Sequence, residues 1–200
     1  MMMRVVLAAS LAATACSLFS YLAPSHVDAG TALRLDIEDL VRNADLVFEG
    51  RVLAQRSFRD TSGLVCTEYT LSVHQSYWGA PYGTRVFTLP GGVLSDGSGT
   101  VIPGMATLTV GEDALLFLAA ESSNGWRPTV GLAQGKFEIV RDAHGVASLA
   151  RRDTELVLVD AGSGAAAPAN AALQLAYTAT IERIEAAARL RAAASTTEVK

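Results

Sequence analysis

Few side chains in this sequence could act as a nucleophile or as its base. Downstream of residue 29 there is one cysteine, Cys66, and there are two histidines, His74 and His144. Cys66 and His74 lie eight residues apart in an alternating segment that predicts a strand, which separates them by about 26 Å. His144 lies in the predicted turn 142–145. We therefore expect no thiol–imidazole catalytic pair, and we predict that Cys66 is a small packed residue.

Metal and phosphate sites also lack their usual patterns. No Cys-x-x-Cys or His-Glu-x-x-His spacing occurs in the sequence. Segment 96–100 lacks the alternating acids and the closing glutamate of a calcium loop. Neither Gly91-Gly92 nor segment 131–135 connects a predicted strand to a predicted helix, as a phosphate-binding loop does. We expect no metal and no cofactor.

A ligand-facing surface is the functional feature that the sequence predicts instead. Its candidate residues are the aromatic pair Trp78 and Tyr82, in the predicted turn 78–83, together with Gln134 and Lys136. Aromatic residues near turns are typical of recognition patches, and packing beneath the turn is the alternative explanation.

The composition excludes several classes of protein. The 200 residues are 50% hydrophobic and 18% charged, with a formal net charge of −4. Disordered chains are poorer in apolar residues, and nucleic-acid-binding domains have an excess of cations. Two cysteines are too few for a disulfide scaffold. We therefore expect a folded domain that does not bind nucleic acid.

The first 29 residues have the pattern of a secretory signal peptide. Arg4 precedes an apolar run without charges over 5–22, and the small Ala29 closes the segment. We predict cleavage between Ala29 and Gly30, a secreted or periplasmic location, and no membrane span after removal of the signal. The alternatives are a retained membrane anchor, because the run has about 18 residues, and a lipoprotein processed at Cys16.

The residues downstream of the signal predict one short helix followed by many strands. A helix capped by Asp36 would place Ile37, Leu40, Val41 and Ala44 on one apolar face. Alternating or continuous apolar segments then predict strands at 46–55, 65–74, 85–89, 114–118, 129–132, 136–140, 146–149 and 156–159.

Two details of the first predicted strand bear on the site. Gly50 in its middle predicts a bulge or a sharp bend. The alternation also predicts one face exposed to water, and Glu49 belongs to that face.

This succession of short strands and turns predicts a mainly β fold, a small antiparallel OB-like barrel with an N-terminal and a C-terminal helix. We expect the barrel domain to span 30–160, a flexible linker 161–169, and a helix with its tail 170–200. Asn170 would cap this helix, which would run to about residue 194. Its predicted apolar stripe comprises Leu173, Tyr177, Ile181, Ile184 and Ala188.

Several segments in this order resemble a known family. They are NADLVFEGRV at 43–52, segment 67–73 leading to Trp78-Gly79, GEDALLFL at 111–118 and GLAQGKF at 131–137. The order resembles a set of secreted bacterial proteins of unknown function, and it is similar to netrin-like domains, including the tissue inhibitors of metalloproteinases. The resemblance covers residues 36–140 and implies an OB-type barrel.

The resemblance does not extend to the mechanism of those inhibitors. Netrin-like domains have disulfides, whereas Cys66 is unpaired once the signal is removed. The inhibitors place an N-terminal cysteine on the zinc of the protease, and Gly30 is the predicted N-terminus here. Only the fold is therefore expected to be shared.

The expected function is a non-catalytic binding or accessory module whose partner is another exported protein. The signal peptide, the barrel pattern and the missing catalytic motifs favour it. A structural envelope component anchored through the C-terminal helix is one alternative. A hydrolase whose site has no sequence pattern is the other, and it requires a pocket with convergent polar groups.

The N-terminus of the exported protein tests the predicted cleavage. We expect N-terminal sequencing to begin at Gly30, because a small residue closes the apolar run. Exported material that begins at Met1, or that has a lipid on Cys16, would contradict the predicted signal peptide.

Overall fold

The computed structural model describes residues 30–151, 156–168 and 173–197. The strands are β1 (Gly30–Leu33), β2 (Leu46–Arg59), β3 (Val65–Trp78), β4 (Gly83–Pro90), β5 (Gly92–Val93), β6 (Gly99–Thr100), β7 (Asp113–Leu118), β8 (Lys136–Arg141), β9 (Ala147–Arg151), β10 (Leu156–Val159), β11 (Ala166–Pro168) and β12 (Leu173–Ala176). The helices are α1 (Ile37–Asn43) and α2 (Tyr177–Thr197), and a 3-10 helix spans Leu132–Gly135. The predicted signal peptide 1–29 and the predicted cap Asn170 lie outside the described residues.

Seven strands form one antiparallel sheet in the order β12-β9-β8-β7-β2-β3-β4. A second sheet contains β1, β10 and β11, with β1 and β10 parallel, and β5 pairs with β6. The predicted mainly β, antiparallel fold with a short N-terminal and a C-terminal helix is confirmed. Among the described strands the outer strands β12 and β4 do not pair with each other, so no closed barrel is found.

The central strand β7 is buried on both of its faces. Leu115 and Phe117 belong to a core beneath the two helices, and Leu116 and Leu118 belong to a second core on the opposite face. All four side chains are fully buried. The segment before β7 covers the second core and contributes Leu108. The continuous apolar run that predicts a central strand is therefore confirmed.

Helix α1 has the predicted N-terminal cap. The carboxylate of Asp36 accepts a hydrogen bond from the backbone N–H of Asp39 at 2.7 Å, and the Asp39 carboxylate accepts one from Asp36 in return. This reciprocal arrangement satisfies two N–H groups that have no partner within a helix. The predicted apolar residues Ile37, Leu40 and Val41 are buried in the first core.

The C-terminal segment differs from the continuous helix predicted for 170–194. Residues Leu173–Ala176 form β12, which pairs with β9, and the helix begins only at Tyr177. Leu173 and Leu175 both pack against the first core, two residues apart, as in a strand. The predicted stripe thus changes from strand spacing to helical spacing at Tyr177.

Two other predicted segments also have a different structure. Within the predicted linker 161–169, Ala166–Pro168 forms β11 and pairs with β10. In the predicted strand 129–132, only Thr129 bridges to β7. The backbone then takes positive φ angles of 64° at Gly131 and 63° at Leu132 and enters the 3-10 helix. A strand cannot continue through that conformation.

Helix α2 docks on α1 by apolar and charged contacts. Ile184 is fully buried in the first core. Arg183 makes a two-pronged ion pair with Glu38 of α1, with Nε 2.9 Å from Oε1, and this hydrogen bonding lowers the pKa of the Glu38 carboxyl. Arg191 donates to the carbonyl oxygens of Val41, at 2.9 Å, and of Ala44, at the C-terminal end of α1. A cation stabilises that end of a helix.

No helix of the described residues is long and apolar enough to span a membrane.

Replacing Ile184 should measure how much the docked helix stabilises the protein. We expect Ile184→Ala to lower the free energy of unfolding by about 2–5 kcal/mol, because the truncation leaves a cavity in the first core. Leu190→Ala is the matched control: Leu190 lies on the same helix and is 74% exposed, so its loss should change stability by less than about 0.5 kcal/mol. Urea unfolding of both variants checks this, and equal effects would show that α2 does not complete the core.

Candidate functional site

The four predicted ligand-facing residues do not form one surface. Tyr82, one residue before β4, is 65% exposed. Trp78, at the end of β3, is half-buried, and the guanidinium of Arg191 lies over its ring at 4.5 Å from the centroid. Trp78 is therefore occupied by a contact within the chain, and Tyr82 alone presents an open aromatic face.

Gln134 is fully buried and cannot face a ligand. Its amide oxygen accepts a hydrogen bond from Leu35 N at 2.9 Å, and its amide nitrogen donates to Leu33 O at 2.8 Å. These two bonds fasten the segment between β1 and α1 to the 3-10 helix. The side chain therefore satisfies backbone groups of a distant part of the chain, and sequence spacing gave no sign of that partner.

Lys136 lies at the start of β8, three strands from Trp78. Lys136 pairs with Leu116 of β7, which pairs with Phe48 of β2, and Phe48 in turn pairs with Ser76 of β3. The Lys136 ammonium is 3.0 Å from a carboxylate oxygen of Glu112. It is thus paired within the chain and does not join Tyr82 in one patch.

A cleft of about 330 Å³ lies between β4, the start of β2 and the loop that follows β7. Its apolar lining includes Phe48, Phe87 and Leu118, whose side chains also belong to the second core or its edge. Gly79, in the turn that leads to Tyr82, lines the same cleft. Tyr82, the exposed aromatic residue of the predicted surface, therefore lies three residues after a residue that lines this cleft.

Charged residues line the remainder of the cleft. They are Asp45, Arg85, Glu121 and Arg127. Arg127 pairs with the carboxylate of Asp45 and lies 3.5 Å from that of Glu121. These ion pairs hold the loop after β7 against the start of β2. The two carboxylates are 48% and 59% exposed, so water screens both ion pairs. We therefore infer that these pairs position the loop and add little to the free energy of unfolding.

Arg85 differs from Arg127 in that no carboxylate of the described residues pairs with it. Its Nε atom is buried and has no hydrogen-bond partner among the described residues. A buried donor without an acceptor is costly, and such a group is commonly satisfied by a ligand or by water. The charged rim of the cleft therefore contains one guanidinium that no described carboxylate neutralises. The sequence offers no signal for this, because the charged residues of the rim come from three separate segments of the chain.

A second, smaller cleft of about 220 Å³ lies on segment 89–107, next to β3. Its lining is mainly apolar and includes Tyr69, Leu89 and Met105. Val93, 61% exposed, and Val101, 67% exposed, stand at its edge. No charged residue of the described part of the chain lines it, so its side-chain polar groups are the hydroxyls of Thr67, Tyr69, Thr100 and Thr107.

Glu49 forms the most unusual buried polar cluster of the described residues. It is only 4% exposed, on the face of β2 that the helices cover. Its carboxylate accepts hydrogen bonds from the hydroxyls of Tyr77, at 2.6 Å, and Tyr177, at 2.8 Å. Nε2 of the half-exposed His74 is 3.7 Å from the other carboxylate oxygen. The predicted water-facing position of Glu49 is wrong because α2 covers this face.

The strand pairing is irregular beside Gly50, where the sequence predicts a bulge or a sharp bend. Glu49 pairs with Gln75 and Gly50 pairs with Val73, so the extra residue at this register shift is His74 of β3, next to the residue that pairs with Glu49. A Cβ atom at Gly50 would lie 2.9 Å from the carbonyl oxygen of Ser72. Any side chain there would push β2 and β3 apart.

The cluster favours neutral tyrosines. Burial, followed by the nearby Glu49 carboxylate, raises the pKa of Tyr77 and of Tyr177 above the ordinary value of 10.0. Both hydroxyls therefore remain donors to the carboxylate at physiological pH. Two donors satisfy a buried charge that would otherwise be very costly. The arrangement ties the start of α2 to the β2–β3 hairpin.

Cys66 lies apart from this cluster. It is fully buried, with Sγ 3.9 Å from a carboxylate oxygen of Asp60. Burial, and then the negative charge of Asp60, raises the pKa of the thiol. Both effects disfavour the nucleophilic thiolate. Within the described part of the chain, no group of three or more His, Cys, Asp or Glu side chains could hold a metal ion.

No protein-family model matches the sequence, and no curated protein or solved structure matches it either. The resemblance to netrin-like domains therefore stays a prediction.

Alkaline unfolding should reveal the tyrosines that bind Glu49. Above about pH 10 the unfolded chain releases their protons while the folded chain retains them, so the free energy of unfolding should fall as pH rises. Tyr77→Phe should lower stability at neutral pH by about 1–3 kcal/mol, because Glu49 loses a donor. It should also make the alkaline decline shallower.

Urea unfolding at about pH 8 and about pH 11 measures both effects. Tyr82→Phe is the control, since Tyr82 is exposed and makes no hydrogen bond to Glu49. If Tyr77→Phe and Tyr82→Phe gave the same stability at both pH values, the tyrosines would not be satisfying the buried carboxylate.

Proposed function

We propose that the protein is a non-catalytic binding module, exported to the periplasm or beyond, whose partner is another exported protein. The observation that supports this most directly is the cleft beside β4, which is lined by apolar side chains such as Phe87 and by charged ones, and whose lining residue Gly79 is three residues before the exposed Tyr82. Interfaces commonly combine an aromatic anchor with an apolar centre and a polar rim. The cleft lies at the small end of the range for small-molecule pockets, which favours a protein segment as the ligand.

Export enters the proposal through the sequence. Gly30, which cleavage after Ala29 would make the N-terminal residue, belongs to β1 and pairs with Leu156. The OB-type barrel is the finer part of the fold proposal. It requires closure between strands that are not paired among the described residues.

The two alternative functions receive less support. An envelope component anchored through its C-terminal helix needs a free apolar face on that helix, yet Ile184 and Ala188 pack into the protein's own core. A hydrolase needs polar groups that can react. Glu49 and its tyrosines are engaged with each other, and the raised pKa of both tyrosines keeps them protonated.

Photo-crosslinking in the producing cells tests the binding module. We would place p-benzoylphenylalanine in the full chain at Tyr82, and at Val146 as the control. The two residues are almost equally exposed, at 65% and 64%, but Val146 lies in the turn between β8 and β9, away from the cleft. We expect a discrete adduct with an exported protein from position 82 only.

The comparison of the two positions decides the result. Adducts of equal yield from both positions would reflect random collision, and they would overturn the assignment of this surface. Absence of any adduct at position 82, with the labelled protein folded and exported, would overturn it too.

A further inference from the structure

Strand β4 is an outer strand of the seven-stranded sheet, and part of its edge has no partner. The carbonyl of Thr88 accepts a hydrogen bond from Arg127 N at 2.9 Å, so the peptide groups of Thr88 point away from β3. This direction alternates along an antiparallel strand. The N–H and C=O groups of Thr84 and Val86 therefore also point outward, and no described residue pairs with them.

The described part of the chain covers one end of this edge and leaves the other end unpaired. Trp126 forms a single parallel bridge to Thr88. Ser122 N then bonds to the carbonyl of Trp126 at 2.7 Å, so the loop folds back on itself before it reaches Val86. The side chains of Thr84 and Val86 are exposed, the latter at 58%. The open part of the edge therefore faces water.

We propose that this edge binds an extended, acidic segment of the partner protein, which adds to the sheet as a further strand beside Thr84 and Val86. The inference rests on the proposed function and states how the partner is recognised. An added strand satisfies outward backbone groups, and its alternate side chains enter whatever pockets flank the edge. Here the flanking pocket is the cleft.

The unpaired cation in the cleft selects an acidic segment. Arg85 lies between Thr84 and Val86, and its side chain points to the face of Phe87, into the cleft. Its Nε is buried without an acceptor. A carboxylate on the added strand, opposite Arg85, would accept a charge-assisted hydrogen bond from the Arg85 guanidinium. Arg127 would not compete, because Asp45 and Glu121 already neutralise it.

A second copy of the chain fits this edge poorly. The antiparallel register that uses both open residues pairs Thr84 of one copy with Val86 of the other. That register places the two Arg85 side chains directly opposite each other on one face, and like charges in that position are destabilising. The same arginine therefore disfavours self-association and favours an acidic partner.

Titration of the purified full-length protein with a synthetic peptide tests the inference. The probe is a capped peptide of about six valine and threonine residues with one central glutamate. Two matched peptides serve as controls: one has glutamine for glutamate, and the other is N-methylated at alternate amides, which prevents strand pairing. Amide chemical shifts of the isotope-labelled protein report where each peptide binds and its affinity.

We expect the glutamate peptide to shift the amide resonances of Thr84 and Val86. The glutamine and N-methylated peptides should each bind about tenfold more weakly, since each loses a charge-assisted or a backbone hydrogen bond. Arg85→Met should weaken binding of the glutamate peptide to the level of the glutamine peptide. Arg189→Met is the matched control: Arg189 is 71% exposed on α2 and does not line the cleft, so this variant should bind the glutamate peptide as the unchanged protein does.

Several results would overturn the inference. They are equal binding of the three peptides, shifts confined to residues outside β4, no binding, and a dimer through β4 in sedimentation experiments. Failure of this inference is distinguishable from failure of the proposed function. An adduct at position 82 without peptide binding would support the proposed protein partner but contradict the added acidic strand. Absence of both the adduct and peptide binding would contradict both proposals.

Discussion

Burial of the central strands on both faces is the constraint on which the rest of the structure depends. Strands β2 and β7 place large apolar side chains on each side of the sheet, so each side needs a cover. The two helices cover one side, and the segment before β7 covers the other. Because both faces are occupied, the surfaces left for a partner are the sheet edges and the loops that flank them. The cleft beside β4 occupies such a place.

The sequence predicts those elements whose signals are local. The cap at Asp36, the alternation of β3 and the apolar run of β7 depend on neighbouring residues, and all three predictions are confirmed. The boundary between β12 and α2 at Tyr177 has no such local signal, because Leu173 fits an apolar stripe at strand spacing and also at helical spacing. Pairing of β12 with β9 decides in favour of the strand, and no local pattern reveals that pairing.

The candidate site was less predictable, and its residues show why. Tyr82 is exposed, as predicted for a ligand-facing residue. Gln134 is instead buried and forms hydrogen bonds with backbone groups about 100 residues away. Glu49 has the alternation of a water-facing residue, and its burial depends on Tyr177, 128 residues later. The neighbouring pair Val47-Phe48 is the one hint, since two consecutive apolar residues in a strand indicate that both faces are covered. Arg85 and Arg127 join the cleft only through the fold.

The late position of α2 in the chain has a consequence for the order of assembly. Ile184 completes the first core, and Tyr177 supplies one of the two hydroxyls that satisfy Glu49, so residues near the C-terminus finish a structure that begins at β2. Until α2 is available, the apolar face of the sheet stays exposed, and the Glu49 carboxylate lacks one of its two hydroxyl donors. Contacts between such distant residues also slow folding. The first core and the buried carboxylate cluster can therefore be completed only when nearly all of the described chain is available.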